Sequence, residues 1–202
     1  DVPIRQDDSS YRTKKLWVFD RKNPDNNEFL AVNQFTIIEN KHNRRPDVIL
    51  FINGLPLVVI ELKNPATENA TIETAWNQLN TYKNDIPSLM AYNAFLIVSD
   101  GITAKAGSLT ASLDRYTYWK TADGVAKAHE RIPQLEVLAQ GMLNKNTILD
   151  IIHNFTMFQT DGRDTWKILA AYQQYYAVNK AVENAFRASD TSGDRKIGVI
   201  WH

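Results

Sequence analysis

The amino-acid sequence predicts an α/β fold in which a buried β-sheet is flanked by helices. Residues 48–60 form two apolar runs on either side of Asn53-Gly54, a dipeptide that is a strong signal for a β-hairpin. Residues 72–79 carry apolar side chains at helical spacing, and residues 94–98 form a further short apolar run. Because the hairpin is apolar at nearly every position, both of its faces are expected to be covered.

The segment before the hairpin predicts irregular structure with short strands. We expect a loosely packed polar segment at residues 1–15, a short strand at 16–19 and a turn at 23–27. A longer strand at 29–38, which is clearest at its end, and a polar loop at 42–45 follow.

The segment after the hairpin predicts a capped amphipathic helix. Asn64-Pro65 ends the second strand, and Asn69 or Thr71 is placed to cap the helix. The apolar stripe of this helix consists of Ile72, Ala75, Trp76 and Leu79. Gln78 and Tyr82 are four residues apart, so they share one helical face at the border of that stripe. From there they reach either the polar end of the hairpin or a bound partner; the alternative is that Tyr82 only borders the core.

The second half of the chain is predicted to be mainly helical. We expect a loop-rich segment at residues 100–110, an edge strand at 115–119, and two helices at 135–143 and 148–152. These are followed by a strand at 155–158 with a turn at 161–162, a long helix at 172–188, a loop at 191–194 and a terminal strand at 197–202. The buried face predicted for the long helix consists of Tyr175, Val178, Ala181, Val182, Ala185 and Phe186. The change of character near residues 125–133 predicts a domain boundary there.

Three polar side chains stand where the hairpin meets solvent. Strand periodicity places Glu61 and Lys63 on one face. A two-residue turn would pair Asp47 with Ile60 and send the two carboxylates to opposite faces, whereas a three-residue loop or one bulge would pair Asp47 with Glu61. Because Pro56 cannot donate to the ladder, the longer loop is favoured.

Two carboxylates at the edge of an apolar core repel each other unless a cation lies between them. Oxygen ligands of this kind suit Mg²⁺, for which Asp47, Glu61 and the Leu62 carbonyl are the candidate ligands. The ammonium group of Lys63 would orient a water molecule or neutralise charge in a transition state. The alternative is an ordinary buried strand pair whose Glu61 and Lys63 are solvated edge charges.

Pro46-Asp47, thirteen intervening residues and then Glu61-Leu62-Lys63 resemble the PD-(D/E)XK nuclease signature. The longer run over residues 33–65 closely resembles the restriction (R) subunit of type I restriction-modification enzymes. The resemblance continues in the Gln-x-x-x-Tyr element at residues 78–82, in the strand-like run at 94–101, and in residues 197–202, which resemble the strand that leads into the motor's phosphate loop.

This resemblance implies a restriction-endonuclease-like mixed β-sheet flanked by helices over residues 1–130, which form a nuclease domain truncated at its N-terminus. Over residues 131–202 it implies a mainly helical linker and the first strand of a RecA-like motor domain. The implied activity is that of a type I site-specific deoxyribonuclease, with Mg²⁺-dependent hydrolysis of DNA phosphodiester bonds. Its catalytic residues would be Asp47, Glu61 and Lys63.

The resemblance also implies partners and further site residues. The partners are double-stranded DNA and the modification and specificity subunits of a type I complex. The resemblance predicts that Gln78 and Tyr82 bind DNA or couple domains. Arg44 and Arg45 are predicted to bind DNA phosphate because they lie beside the proposed site, and the alternative for them is a solvated turn. Gln173 or Gln174 is a candidate for nucleotide binding. No G-x-x-x-x-G-K-[S/T] phosphate loop occurs, so ATP is expected to act only in the full-length subunit.

One departure from the nuclease pattern concerns a further acid. Many PD-(D/E)XK nucleases carry another acid on a helix before the hairpin, and the nearby upstream glutamates here are Glu28 and Glu39. Neither lies in a convincing helical pattern. We therefore expect that this element was lost with the N-terminus, since the chain begins at Asp1 rather than at Met and resembles a fragment.

Composition limits the possible functions. The chain has 23 Lys and Arg residues against 23 Asp and Glu residues, so any DNA-binding surface must be a local patch or be supplied by other regions. There is no cysteine, which excludes disulfides and thiolate metal sites and fits a cytoplasmic protein. No apolar run reaches membrane-spanning length. The alternatives are a non-catalytic DNA-binding or docking module and a free-standing repair nuclease.

Overall fold

The computed structural model describes residues 2–15, 17–66 and 71–199. In chain order the strands and helices are β1 (Val2–Arg5), β2 (Tyr11–Lys14), β3 (Phe29–Asn33), β4 (Ile37–Glu39), β5 (His42–Arg44), β6 (Val48–Ile52), β7 (Leu55–Leu62), α1 (Ile72–Asp85), α2 (Pro87–Met90), β8 (Phe95–Ser99), β9 (Ala104–Gly107), α3 (Gln134–Gly141), α4 (Lys145–Asn154), β10 (Thr156–Asp161), β11 (Asp164–Leu169) and α5 (Tyr172–Ser189).

A mixed five-stranded sheet lies at the centre, in the order β3-β6-β7-β8-β9. Strands β7 and β8 are parallel, and all other neighbours in this sheet are antiparallel. Helix α1 and the short α2 connect the parallel pair. The predicted α/β class with a flanked, mixed sheet is therefore confirmed.

Both faces of the sheet are covered, as its apolar strands require. On one face, Val59, Leu96 and Val98 pack against Ile72, Ala75, Leu79 and Tyr82 of α1. On the other face, Val58, Ile60, Phe95 and Ile97 pack against Leu138 of α3, Ile148 and Ile151 of α4, and Tyr175 of α5. The helices that follow the predicted domain boundary thus cover the second face of the sheet. The boundary itself stays a prediction.

Helix α1 begins directly after Thr71, one of the two caps that the sequence predicts. Thr71 accepts a hydrogen bond from the backbone N–H of Thr74, and the Thr74 hydroxyl accepts one from the N–H of Thr71, which forms a reciprocal cap. The helix stops at Ile86, just before Pro87. The other predicted cap, Asn69, lies outside the described residues. This helix holds Gln78 and Tyr82 over the hairpin.

The hairpin combines a tight turn with a bulge. Asn53 and Gly54 have φ values of 50° and 80°, and Ile52 pairs with Leu55, so the loop has two residues and the longer loop predicted from sequence is wrong. The register then shifts between Leu50 and Phe51 of β6, opposite Leu57. Leu57 and Val58 consequently contact the same core cluster although they are adjacent. The bulge supplies the extra residue that the sequence assigned to the loop.

The chain leaves the sheet between β3 and β6 to form a separate two-stranded hairpin, β4–β5. Gln34 starts this excursion with a φ of 53°, and its backbone N–H donates to the carbonyl of Asp47 at 2.9 Å. The single strand predicted over residues 29–38 is therefore wrong in part, because Gln34 divides it into β3 and β4.

Several smaller predictions also differ from the structure. Residues 17–19 form no strand, and Leu16 lies outside the described part. The edge strand predicted at 115–119 is reduced to one bridge between Ala106 and Thr117, because Leu113–Arg115 forms a turn of 3-10 helix. Strands β9 and β11 were not predicted. The polar segment 2–15 forms the exposed β1–β2 hairpin.

The predicted buried face of α5 is largely wrong. Tyr175 is buried, but Val178, Val182 and Phe186 are 48%, 49% and 74% exposed. Of the predicted face only Tyr175 belongs to a buried core cluster of the described residues, whereas Ala188, outside that face, is buried at the end of the helix. Residues 197–199 form no strand, and 200–202 fall outside the described range, so the start of a motor domain stays a prediction. No described helix is long and apolar enough to cross a bilayer.

Candidate active site

Asp47 lies directly before β6, where two hydrogen bonds fix its carboxylate. Its Oδ2 accepts the backbone N–H of Leu62 at 2.8 Å, and its Oδ1 accepts the side-chain amide of Gln34 at 2.8 Å. Because Val48 pairs with Ile60, the same register places Asp47 opposite Glu61. The bulge therefore brings both carboxylates to the face of the sheet that α1 covers. This is one of the two arrangements that the sequence left open.

Glu61 is almost fully buried, with only 1% of its surface exposed. Its Oε1 accepts the Nζ of Lys63 at 2.8 Å, and its Oε2 accepts the hydroxyl of Tyr82 at 3.2 Å. A charged carboxylate in such a position needs polar partners, because burial removes its hydration. The structure thus brings Glu61 and Lys63 together beneath α1.

Gln78 closes a ring of hydrogen bonds around this pair. Its Oε1 accepts the Nζ of Lys63 at 2.6 Å, and its Nε2 donates to the Tyr82 hydroxyl at 2.7 Å. Tyr82 in turn donates to Glu61. Gln78 and Tyr82 therefore reach the polar end of the hairpin, which is one of the two destinations that their helical position predicts.

Burial dominates the electrostatics of Glu61. Desolvation raises its pKa from 4.5 to about 7, the hydrogen bond from Lys63 opposes this shift, and the negative charge of Asp47 adds to it. Desolvation likewise raises the pKa of the Tyr82 hydroxyl above its ordinary value, so this group stays a hydrogen-bond donor at neutral pH. The negative charge of Asp47 is close enough to raise the pKa of Glu61, and the ammonium group of Lys63 only partly offsets this effect.

The donor set fits Mg²⁺ better than a metal that needs several protein ligands. Among the residues described, no group of three or more His, Cys, Asp or Glu side chains is arranged to hold a metal ion. Two carboxylates are nevertheless sufficient for Mg²⁺, which usually retains waters and binds substrate phosphate. The N–H of Leu62 points toward Asp47, and the carbonyl of a strand residue points to the same side as its N–H. The Leu62 carbonyl as a further ligand stays a prediction.

The two predicted arginines have different environments. Arg44 is held by Asp85, with an Nε to Oδ2 distance of 2.7 Å, whereas Arg45 is exposed. Both line a groove beside Gln78 and Tyr82.

The upstream glutamates lie away from the two carboxylates. Glu39 accepts hydrogen bonds from the backbone and hydroxyl of Ser88 and so ties β4 to α2. Glu28 lies next to Asn53, at the opposite end of the hairpin from Asp47. Neither supplies the further acid of the nuclease pattern.

The predicted nucleotide-binding glutamines lie at the start of α5. The side chain of Gln174 accepts the backbone N–H of Ala171 at 2.9 Å and so caps this helix. The capping bond gives Gln174 a structural role. A nucleotide contact by Gln173 or Gln174 stays a prediction.

Sequence reasoning missed Gln34 as a partner of Asp47. Asn33 pairs with Val48, so Gln34 follows the last residue of the ladder and lies beside Asp47. The only available signal was that two antiparallel strands would bring residue 34 next to residue 47. That signal required knowing the β3–β6 register, which the sequence does not give.

Comparisons with known proteins show which family this chain resembles. The family described as type I restriction enzyme R protein N terminus matches residues 1–115. The chain is 47% identical over 181 residues to the type I restriction enzyme HindI endonuclease subunit of Haemophilus influenzae, covering 88% of this chain and 17% of that protein. It is 33% identical over 213 residues to the putative type I restriction enzyme MjaIXP endonuclease subunit of Methanocaldococcus jannaschii, covering 95% and 20%.

A further relative is the type I restriction enzyme EcoprrI endonuclease subunit of Escherichia coli, which is 28% identical over 195 residues and is covered over 60% of its length. The chain spans about a fifth of the length of the first two relatives. The matches extend beyond residue 115 and include the helices that cover the second face of the sheet.

Proposed function

Because this chain belongs to the family formed by the N-terminal region of type I restriction enzyme R proteins, we propose that it is their DNA-cleaving domain. The proposed reaction is Mg²⁺-dependent hydrolysis of phosphodiester bonds in double-stranded DNA. The names of the relatives, which are endonuclease subunits, support the reaction class.

The observation that carries this proposal is the meeting of Asp47, Glu61 and Lys63 on one face of the sheet. Asp47 is held by Leu62 and Gln34, and Glu61 is held by Lys63 and Tyr82, so both carboxylates are fixed by named donors. A purely structural strand pair has no need for two acids side by side at the edge of a core, since each raises the cost of ionising the other.

Asp47, Glu61 and the Leu62 carbonyl would hold the ion. When bound, Mg²⁺ supplies positive charge for a phosphate and acidity for a coordinated water. Lys63 sits between Glu61 and Gln78, and its Nζ is oriented by both, so it can hold a water or face a phosphate oxygen without rearranging. Gln78 and Tyr82 act as positioning residues, because each contacts a site residue and restricts its motion.

The wider role follows from the family. We propose that the full-length subunit couples cleavage to ATP-driven translocation and assembles with modification and specificity subunits in the cytoplasm. This chain would contribute cutting and not sequence choice, because no base-reading element stands out in it. ATP would bind outside the residues that carry the cleavage chemistry.

The proposal is tested with the full-length subunit in its assembled complex, incubated with plasmid, Mg²⁺ and ATP. We expect Asp47→Ala and Lys63→Ala to lose cleavage by at least a hundredfold while ATP hydrolysis continues. A matched control is Lys120→Ala, an exposed lysine outside the hydrogen-bonded ring around Glu61. Equal cleavage by the wild type and both site variants would remove the assignment. Binding of DNA without any Asp47-dependent cleavage would instead support a docking module.

A further inference from the structure

An open groove of about 470 Å³ runs between the β4–β5 hairpin and helix α1, beside the candidate active site. We call it the α1 groove. It is lined by Asn43, Arg44, Arg45, Thr74, Asn77, Gln78, Thr81 and Tyr82. Two of these residues, Gln78 and Tyr82, also bond to Lys63 and Glu61, so the groove leads directly to the cleavage residues.

The chemistry of the α1 groove suits a polyanion. Its lining includes two guanidinium groups and no carboxylate, although the chain as a whole carries equal numbers of acidic and basic residues. The remaining lining residues are mostly short amides and hydroxyls, which are typical of contacts to the sugar-phosphate backbone. Tyr82 is only 2% exposed, so no aromatic face is available for stacking against bases.

Arg44 holds one wall of this groove, the β4–β5 hairpin, in place. Its Nε lies 2.7 Å from Oδ2 of Asp85 and its Nη2 lies 2.5 Å from the same oxygen, so the guanidinium clamps the β4–β5 hairpin to the end of α1. His42 approaches the other oxygen of Asp85 at 3.6 Å. Glu39 adds a second attachment through Ser88. The wall is therefore fixed before any ligand arrives.

Arg45 has no such partner. It is exposed, and within the described residues it takes part in no ion pair or side-chain hydrogen bond. It follows Arg44 directly and precedes Pro46-Asp47, so its backbone is held close to the first carboxylate. Because this guanidinium has no ion pair or side-chain hydrogen bond among the described residues, turning it toward a phosphate breaks no existing bond.

We propose that the α1 groove binds the phosphate backbone of double-stranded DNA without sequence preference, with Arg45 as the phosphate contact and Arg44 as a structural clamp. This inference rests on the proposed function for its choice of polyanion and adds the route by which the substrate reaches the cleavage residues. It assigns different roles to two adjacent arginines that the sequence alone does not distinguish.

The test measures binding of the 202-residue chain to two fluorescent duplexes of unrelated sequence, without divalent ions, over a series of salt concentrations. We expect Arg45→Ala to weaken binding about threefold to tenfold and to reduce the slope of log K against log salt by about 1, equally for both duplexes. The control is Arg163→Ala, an exposed arginine in the β10–β11 turn, which should leave both quantities unchanged. Arg44→Ala should lower the melting temperature of the free chain, and Arg45→Ala should not.

Unchanged binding by Arg45→Ala, an equal loss in Arg163→Ala, or a tenfold preference between the duplexes would each overturn the proposal. Failure of the proposed function gives a different pattern. In that case Arg45→Ala still weakens binding, but Asp47→Ala leaves plasmid cleavage unchanged. If cleavage depends on Asp47 but Arg45→Ala binds DNA as well as the wild type does, the proposed function stands and the proposal that the α1 groove binds DNA is wrong.

Discussion

Gln34 holds Asp47 from two sides. Its side-chain Nε2 donates to Oδ1 of Asp47 at 2.8 Å, and its backbone N–H donates to the Asp47 carbonyl at 2.9 Å. To make both bonds Gln34 adopts a φ of 53°, a left-handed conformation that costs a residue with a Cβ roughly 1 kcal/mol. The two hydrogen bonds orient the Asp47 carboxylate and help to hold Gln34 in this conformation.

Replacing Gln34 should therefore weaken ion binding more than folding. We expect Gln34→Ala to reduce the affinity for Mn²⁺, used as a calorimetric substitute for Mg²⁺, by about tenfold, since residues that orient metal ligands typically contribute that much. Isothermal titration calorimetry measures this change. Gln140→Ala removes a solvent-exposed glutamine whose side chain bonds to Glu136, and it should leave the affinity unchanged. Equal affinities for the Gln34→Ala variant and the wild type would contradict this role.

Two buried tyrosines provide a matched test of the hydrogen-bonded ring. The Tyr82 hydroxyl links Gln78 to Glu61, whereas the Tyr116 hydroxyl is buried without a hydrogen-bond partner among the residues described. Tyr82→Phe should lower the free energy of unfolding by about 1–2 kcal/mol, because it leaves partners of a buried group unsatisfied. Tyr116→Phe should be neutral or stabilising. Urea denaturation of both variants checks the difference, and equal losses would show that the ring adds no stability.

Glu61 makes the stability of the metal-free chain depend on pH. Its pKa is about 7 in the folded chain against 4.5 for an unburied glutamate, so the folded state keeps a proton that the unfolded state has released. The direction of linkage follows from this difference: the free energy of unfolding falls as pH rises from 4.5 to about 7 and then levels off. The burial penalty is absent below this window and complete above it.

Glu61→Gln should remove this dependence. A difference of this size corresponds to roughly 3–4 kcal/mol, at about 1.4 kcal/mol for each unit of pKa. Unfolding by urea with a chelator at a series of pH values measures it, and the wild type should lose stability relative to Glu61→Gln as pH rises. Added Mg²⁺ should restore part of the loss in the wild type only. Parallel pH profiles for the two proteins would contradict a raised pKa.

Local sequence signals predicted the elements around the site well, for identifiable reasons. The Asn53-Gly54 dipeptide determines a tight turn through its positive φ values, and Thr71 with the apolar stripe defines α1. The pairing of Asp47 with Glu61 was predicted as one of two outcomes. The sequence assigned the extra residue to the loop because of Pro56, whereas the strand accommodates it as a bulge at Leu57.

The features that sequence could not predict depend on contacts between distant segments. Gln34 and Asp47 meet because β3 and β6 pair, and Arg44 is fixed by Asp85, which lies forty-one residues further along the chain. The apolar residues Val182 and Phe186 have helical spacing typical of a buried face, yet they are exposed. Periodicity shows that a face is apolar and does not show which surface, if any, covers it.

Asn53 provides a test of whether the turn and the site behave independently. Its side-chain Oδ1 accepts the N–H of Glu28 at 2.8 Å, and its Nδ2 donates to Val18 and Asn27 at 2.7 and 2.9 Å. These bonds tie the turn to the segment before β3. Asn53→Gly keeps the left-handed backbone and removes the side-chain bonds, whereas Asn53→Ala removes the bonds and also strains the backbone.

We expect Asn53→Gly to lower the free energy of unfolding by about 1–3 kcal/mol and Asn53→Ala by about 1 kcal/mol more. Urea denaturation measures both values. The bulge at Leu57, between the turn and the carboxylates, sets the register at the polar end of the hairpin. Because that register does not depend on the Asn53 side chain, Mn²⁺ affinity should stay at the wild-type value in both variants. Loss of Mn²⁺ binding in a folded Asn53→Gly protein would show that the turn, and not the bulge, aligns Asp47 with Glu61.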